Sequence, residues 1–184
     1  MEHNISAQLE RFKDSFLVAA AKAGSAQEVQ SLLEMGADVS WRSSDGNLGD
    51  TALLAAVRNG HRDVASILLA MGADPTDATS ILPGAENFGG DTTLHLACRR
   101  GDEVLATLLI EAAAAECADH KHEGALAQPI LHKRRAADGM TAFEAAEASG
   151  YGGMARRLKN FAECIVVRHN GTSKANNDRH FTNL

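Results

Sequence analysis

Short apolar runs recur along this chain, and each is followed by a glycine and then by a second apolar stretch. In the second stretch the apolar residues fall three or four positions apart, as on one face of a helix. Val64, Ile67 and Leu68 show this spacing after the apolar run Ala52 to Val57. The pattern predicts two helices joined by a glycine turn, a hairpin that cannot bury its apolar side alone.

The same spacing fits four places in the chain. Each has a glycine with a hydroxyl residue nine positions before it and a leucine eight positions after it, and the glycines are 36, 41 and 49 residues apart. The glycines are Gly24, Gly60, Gly101 and Gly150; the hydroxyl residues are Ser15, Thr51, Thr92 and Thr141; the leucines are Leu32, Leu68, Leu109 and Leu158. Constant spacing within units and variable spacing between them indicates a stack of helical hairpins with loops of different length.

Local chemistry supports these boundaries. We expect each hydroxyl residue to cap the first helix of its unit, because its oxygen can accept a hydrogen bond from a free main-chain N–H. We expect each glycine to end that helix in the left-handed conformation. The third unit has Ala113-Ala114 where the first two have Gly36 and Gly72 followed by alanine. Its second helix should therefore run on past the usual end.

Several segments match a known repeat. LLEMGADVS and LLAMGADPT, GHRDVASILLA, and TTLH at Thr92 resemble parts of the ankyrin repeat, and the resemblance covers about residues 15 to 164. The usual proline after the first threonine is missing, and Phe16, Ala52, Thr93 and Ala142 stand in its place. The resemblance implies an all-α, ankyrin-type solenoid of about four helix-turn-helix repeats with enlarged hairpin loops. It also implies a structural role for His95, which should bond the hydroxyl or main chain at its helix start.

The predicted ankyrin domain spans residues 1–167. Its repeats lie at about 15–47, 51–83, 92–118 and 141–167, with an N-terminal cap at 1–14 and an inserted loop at about 115–138. Ile5, Leu9, Phe12 and Phe16 fall on one helical stripe, which we expect to extend or cover the first repeat. Residues 168–184 are polar and rich in asparagine, so we expect a flexible tail.

The connections between repeats are enlarged. Compared with a repeat of about 33 residues they carry roughly 3, 8 and 16 extra residues. In the ankyrin fold such connections project as fingers, and apolar side chains on them either contact a partner or fold back onto the stack. Both interpretations stay open for Trp41 in the first finger and for Ile81, Leu82 and Phe88 in the second. The third insert should be dispensable for folding, because loop closure becomes costlier only slowly with length.

The third insert contains residue types that bind zinc, namely Cys117, His120, His122 and His132. Their spacing matches no established zinc finger, so we predict no metal and no cofactor. Cys98 lies in an apolar run where a small buried residue is wanted.

Composition narrows the class of protein. The 184 residues carry a net charge of -6, which argues against nucleic-acid binding through the overall field. The three cysteines are an odd, widely spaced set, typical of free thiols. We find neither an apolar stretch of signal-peptide length at the N-terminus nor one long enough to cross a membrane, and we expect a cytoplasmic protein.

A row of cations is predicted along the concave face. The two residues before each turn glycine include Lys22, Arg58 with Asn59, and Arg99 with Arg100. If adjacent repeats align them, this row should favour a partner with an acidic surface, presenting carboxylates or phosphates. The alternative is that these are ordinary helix-end cations, which the helix dipole favours anyway.

No sequence motif for catalysis is found: there is no GxSxG, no GxxxxGK[ST] and no HExxH. We therefore expect a non-catalytic module that binds another protein through its concave face and loops, as a regulatory adaptor or inhibitor. The alternative is a permanent structural subunit of a large multiprotein assembly. The C-terminal Phe181-Thr182-Asn183-Leu184 also fits the loose pattern that PDZ domains bind, which short chains show by chance.

Overall fold

The computed structural model describes residues 2–43, 49–76, 90–119, 131–135 and 138–177 and, among these, the side chains of residues 12–43, 49–76, 90–115, 131–135 and 138–165. These residues form helices joined by turns. The helices are α1 Glu2–Ala23, α2 Ala26–Glu34, α3 Ala52–Asn59, α4 Arg62–Ala70, α5 Thr93–Arg100, α6 Glu103–Asp119, α7 Ala142–Ala148 and α8 Gly152–Asn177.

The helices pair as hairpins and the hairpins stack. Each first helix packs against the first helix of the next repeat, in the order α1, α3, α5, α7, and the second helices α2, α4, α6, α8 form the other layer. The core between the layers is built of Leu, Val, Ile and Ala side chains. The predicted all-α solenoid of four hairpins is confirmed.

Three of the four predicted caps are present. The hydroxyl oxygens of Thr51, Thr92 and Thr141 accept hydrogen bonds from the main-chain N–H three residues on. The prediction for Ser15 is wrong, because Ser15 lies inside α1, which begins at Glu2. The residues assigned to an N-terminal cap therefore continue the first helix of the first repeat.

The four turn glycines adopt the predicted left-handed conformation. Their φ angles are 80° for Gly24, 79° for Gly60, 70° for Gly101 and 88° for Gly150. A residue with a Cβ is strained there, so glycine fixes where each first helix ends.

His95 is fully buried and has the predicted structural role. Its Nε2 lies 3.0 Å from the carbonyl oxygen of Met140, and its Nδ1 lies 2.7 Å from the hydroxyl of Thr92. Because a carbonyl can only accept, the ring proton belongs on Nε2, and Nδ1 accepts from Thr92. The ring thus ties α5 to the start of the fourth repeat. Cys98 is also buried, which raises the pKa of its thiol to about 12.

Both ends of the described part continue as helices. The N-terminal stripe extends the first repeat and does not cover it, because α1 is continuous from Glu2 and Phe12 and Phe16 are 62% and 60% exposed. At the other end α8 reaches Asn177, which places the predicted boundary at 167 inside a helix; residues 178–184 lie outside the described part. The predicted extension of α6 is confirmed, since it has 17 residues where α2 and α4 have 9. None of the helices in the described part is long and apolar enough to cross a membrane.

Candidate partner-binding surface

The base of each finger is held by an aspartate that bonds its own main chain. Side-chain oxygens of Asp38, Asp74 and Asp138 accept from main-chain N–H groups two residues on, at 2.9, 2.7 and 3.1 Å. Such short loops fold locally, because the aspartate replaces a main-chain partner in the turn. The first two fingers therefore begin, and the third finger ends, with a turn of defined direction.

The fingers also contact one another. Lys133 Nζ donates to the carbonyl oxygen of Thr76 at 3.2 Å, which links the third finger to the second. Arg135, in the same third finger, lies 3.4 Å from the buried carboxylate of Asp91. The final part of the third insert is thus attached to the stack, and Leu131 is buried in the core. Residues 120–130, the middle of this insert, lie outside the described residues, so its predicted dispensability stays a prediction.

A groove of about 230 Å³ lies between the bases of the first two fingers. Its lining is mixed in chemistry: apolar carbons, two hydroxyl groups and one charge of each sign. The lining residues are Val39, Ser40, Arg42, Thr51, Leu53, Ala73 and Asp74. Sequence reasoning missed this groove, because it depends on how adjacent repeats are placed.

The predicted cationic row is largely paired with aspartates. Arg58 Nη2 lies 2.8 Å from Oδ1 of Asp50, and Arg99 Nη1 lies 2.9 Å from Oδ2 of Asp91. Both carboxylates are buried, with 6% and 0% of the side chain exposed. Each arginine thus shares its charge with a neighbouring anion, and the row is not a strip of uncompensated positive charge.

The sequence carried a signal for these pairs. An aspartate stands eight residues before each cation, as Asp14 before Lys22, Asp50 before Arg58 and Asp91 before Arg99. Eight residues are about two helical turns, so the aspartate before the cap lies on the same side of the helix as the cation. In the first repeat the carboxylate accepts instead from the N–H of Asp38 at 2.7 Å.

The remaining predicted site residues have different environments. Lys22, Asn59 and Arg100 are exposed. Asn59 donates to the carbonyl oxygen of Ala55 at 2.7 Å, and Arg100 donates to that of Arg58 at 2.8 Å. Trp41 is half-buried and packs against the core. This agrees with the interpretation that apolar side chains on the fingers fold back onto the stack. Ile81, Leu82 and Phe88 lie outside the described residues.

The zinc-type residues form no site in the part that can be described. His132 is exposed, and the side chains of Cys117, His120 and His122 are not among those described. Within the described side chains, no three His, Cys, Asp or Glu groups come together as a metal would require.

Ion pairs between repeats brace the convex side of the stack. Arg62 makes two 3.0 Å contacts to the carboxylate of Asp102, and Arg157 makes contacts of 2.8 and 2.7 Å to Glu103. Hydrogen bonds from Arg157 lower the pKa of Glu103. These pairs join the second repeat to the third and the third to the fourth, away from the groove between the first two fingers.

Comparison with curated proteins finds relatives that are similar in sequence to part of this chain. A mitochondrial disaggregase of Bos taurus is 41% identical over 93 residues, which is 49% of this chain and 13% of the relative. The Homo sapiens mitochondrial disaggregase is 42% identical over 80 residues, 42% of this chain and 11% of the relative. A probable E3 ubiquitin-protein ligase of Oryza sativa subsp. japonica is 37% identical over 95 residues, 51% of this chain and 16% of the relative. The chain thus matches only a small part of each relative's length.

Family profiles match the repeats directly. A profile for three copies of the ankyrin repeat matches residues 1–79, and a profile for a single ankyrin repeat matches residues 89–121. Both matches end before the fourth hairpin, whose geometry nevertheless continues the stack through α7 and α8. Together with the threonine caps, glycine turns and paired helical layers, these matches establish that the chain belongs to the ankyrin repeat family.

Proposed function

We propose that this chain is a non-catalytic module that binds another protein reversibly, as a regulatory adaptor or inhibitor. Ankyrin repeats generally mediate protein–protein interactions, which supports the class. The observation that carries the proposal is the groove between the first two fingers, which is concave, mixed in polarity and held by fixed turns. We place the primary contact there.

The residues that line the groove indicate what kind of partner segment would fit it. Half-buried Val39 provides most of the apolar surface, since Leu53 is 1% exposed, and Arg42 and Asp74 provide one charge of each sign. A partner segment with an apolar side chain flanked by polar groups fits such a site. The expected acidic partner gains little support from Arg58 and Arg99, because their charges are already paired. Among the predicted cations, Arg100 is exposed and donates to a carbonyl oxygen rather than to a carboxylate, so it is a candidate for contact with an acid.

The activities named for the relatives are not carried over to this chain. The matched segment covers between 11% and 16% of those proteins, so it corresponds to a shared repeat region. Non-catalytic binding in the cytoplasm, without cofactor, nucleic acid or membrane, is the function that we propose.

A groove-filling variant tests this proposal. Ser40 is exposed and lines the groove, so Ser40→Arg should obstruct it while the turn bond to the main-chain N–H of residue 40 is kept. Val104→Arg is the matched control, because Val104 is 61% exposed on α6 and does not line the groove. Both variants and the parent chain are immobilised and incubated with an extract of the native source. The proteins that each one captures are then quantified by mass spectrometry. At least one protein should be held by parent and control and lost from Ser40→Arg; equal capture by all three would refute the groove.

The alternative is a permanent subunit of a large multiprotein assembly. Size-exclusion chromatography of the protein from its native source distinguishes the two. A free species with the mass of this chain, 19.5 kDa, agrees with a reversible adaptor. Quantitative co-elution with a large complex, unchanged by dilution, would favour the permanent subunit.

A further inference from the structure

The chain itself occupies the gap between the second and third fingers, which we call the second gap. Leu131 is buried in the core, and Lys133 Nζ donates to the carbonyl oxygen of Thr76 at 3.2 Å. Arg135 Nη1 lies 3.4 Å from Oδ1 of Asp91, just before the cap of α5. A short segment with an apolar residue followed two positions later by a lysine therefore bonds the second finger and the start of the third repeat.

The groove between the first two fingers is the equivalent place one repeat earlier. In the first finger the N–H of Ser40 donates to Asp38 at 2.9 Å, and in the second finger the N–H of Thr76 donates to Asp74 at 2.7 Å. The carbonyl oxygen of Ser40 thus corresponds to the one that accepts from Lys133. Three further lining residues, Thr51, Leu53 and Ala73, align with Thr92, Leu94 and Ala114.

The finger residues of the groove are more exposed than their counterparts in the second gap. Val39 is half-buried and Ser40 is exposed, whereas the aligned Pro75 is buried and Thr76 is half-buried. The contact between Lys133 and Thr76 accounts for part of this difference, because it lays the third finger over the base of the second.

The sequence of the second finger does not provide the cations that the third finger provides. Lys133 and Arg135 stand eight and six residues before the cap of α7. The same positions before the cap of α5 hold Gly84 and Glu86, in a part of the chain outside the described residues. A cation that bonds the first finger as Lys133 bonds the second therefore has to come from another molecule.

The charges around the groove favour such a cation. Asp74 lines the groove as an exposed carboxylate where the second gap has Ala115, and Asp38 is exposed at the first turn. Their turn bonds come from uncharged N–H and hydroxyl groups, which do not neutralise a carboxylate. Arg42 is the cation of the lining, and its Nη1 donates to the carbonyl oxygen of Gly49 in its own finger. Two carboxylates and one guanidinium leave an excess of negative charge, to which a basic group is complementary.

We propose that the groove binds a short segment of the partner protein in which an apolar residue is followed two positions later by a lysine, as Leu131 is followed by Lys133. The apolar residue packs on Val39. The lysine donates to the carbonyl oxygen of Ser40 and is attracted by the carboxylate of Asp74, since an ammonium group has three donors to share. This inference rests on the proposed function, because it names the chemistry of the partner at the same groove.

Two short synthetic peptides test this assignment with the full chain. They are identical except that one contains Leu-Ser-Lys and the other Leu-Ser-Glu. By fluorescence anisotropy the lysine peptide should bind at least tenfold more tightly, and Ser40→Arg should weaken its binding at least tenfold. Asp74→Asn keeps an oxygen for the turn and should narrow the difference between the peptides severalfold. Glu111→Gln removes an exposed carboxylate on α6 outside the groove and should change nothing.

The outcomes separate this inference from the proposed function. Equal binding of the two peptides that Ser40→Arg abolishes would keep the groove as the contact and overturn the lysine. Binding that Ser40→Arg does not change in a folded protein would overturn the groove itself. Failure of either peptide to bind would also overturn the inference, as would tighter binding of the lysine peptide to Leu82→Ser, because the second finger would then be the occupant. Asp74→Asn provides an independent result if Ser40→Arg does not fold.

Discussion

Arg100 donates a hydrogen bond from Nη1 to the main-chain carbonyl oxygen of Arg58, 2.8 Å away. The two residues end the first helices of adjacent repeats, and the guanidinium lies over Gly60 in the turn between α3 and α4. His61 has the same relationship one repeat earlier, because its Nε2 lies 3.1 Å from the carbonyl oxygen of Lys22. Each of these turns is therefore covered by a side chain of the following repeat.

Gly60→Ala should destabilise the protein more than Gly72→Ala. Both glycines have left-handed φ angles, of 79° and 86°, so each alanine carries a strain of about 1 kcal/mol. Only at Gly60 would the new Cβ collide with the guanidinium of Arg100, which must then move and lose its hydrogen bond. We expect an additional loss of about 1 kcal/mol at Gly60, measured by urea unfolding.

The Arg100→Ala variant distinguishes the backbone strain at Gly60 from the collision with the Arg100 guanidinium. In that background the guanidinium is absent, so the two alanine substitutions should have nearly equal costs. A difference between them that persists without Arg100 would show that another contact at Gly60 matters.

Asp91→Asn should be more damaging than Asp50→Asn. The Asp91 carboxylate is fully buried and faces both Arg99 and Arg135, whereas Asp50 faces Arg58. Removing the Asp91 charge takes the buried anion away from Arg99 and leaves Arg135 with Asp138 alone, and breaking a buried ion pair costs up to about 3 kcal/mol. Chemical denaturation measures this loss, and hydrogen exchange should quicken in residues 131–135 and 138–140, because Arg135 anchors that segment. Equal losses for the two variants would mean that Arg135 adds no stability.

The free energy of unfolding should decrease at pH values below about 6.5, and His95 should account for part of this decrease. Burial lowers the pKa of His95 from its ordinary value of 6.5. Below that value the unfolded chain binds a proton that the folded protein does not, so stability is full above pH 6.5 and declines as the pH falls toward the folded pKa. One such proton changes the unfolding free energy by at most about 1.4 kcal/mol per pH unit.

The variant His95→Gln tests whether His95 causes this pH dependence. The variant will be less stable at pH 7.5, because the bonds to Thr92 and Met140 are altered. Its further loss between pH 7.5 and 5.5 should be smaller than that of the parent protein. An identical pH dependence would assign the acid sensitivity to other groups.

Gly153→Ala should stabilise the last repeat. A Cβ at Gly153 would approach nothing nearer than Arg157 Nη1 at 3.7 Å, an ordinary contact, and the residue lies in the first turn of α8. Alanine in a helix is favoured over glycine by up to about 1 kcal/mol. Hydrogen exchange should be faster in residues 150–165 than in α3 and α4, and Gly153→Ala should slow it. Gly150→Ala is the opposing control, because φ there is 88° and alanine should destabilise.

The sequence alone determined the repeat and most of the helix ends within it. Thr51, Thr92 and Thr141 cap helices, and Gly24, Gly60, Gly101 and Gly150 end them, because capping and left-handed turns depend on residues close in the chain. The same local logic predicted that α6 would continue where alanine replaces the glycine. The fold family and the buried roles of His95 and Cys98 were available for the same reason.

Only the tertiary structure decided which surfaces are covered and which charges are paired. The stripe through Phe12 and Phe16 is what a buried helix face would show, but burial requires another element against it, and periodicity cannot supply that element. Arg58 and Arg99 looked like a cationic row until the aspartates before their helices were placed beside them. Arg135 reaches Asp91 across 44 residues of sequence, a distance over which no local preference acts. Contacts of this kind follow from the stacking angle between repeats, which many small packing interactions set together.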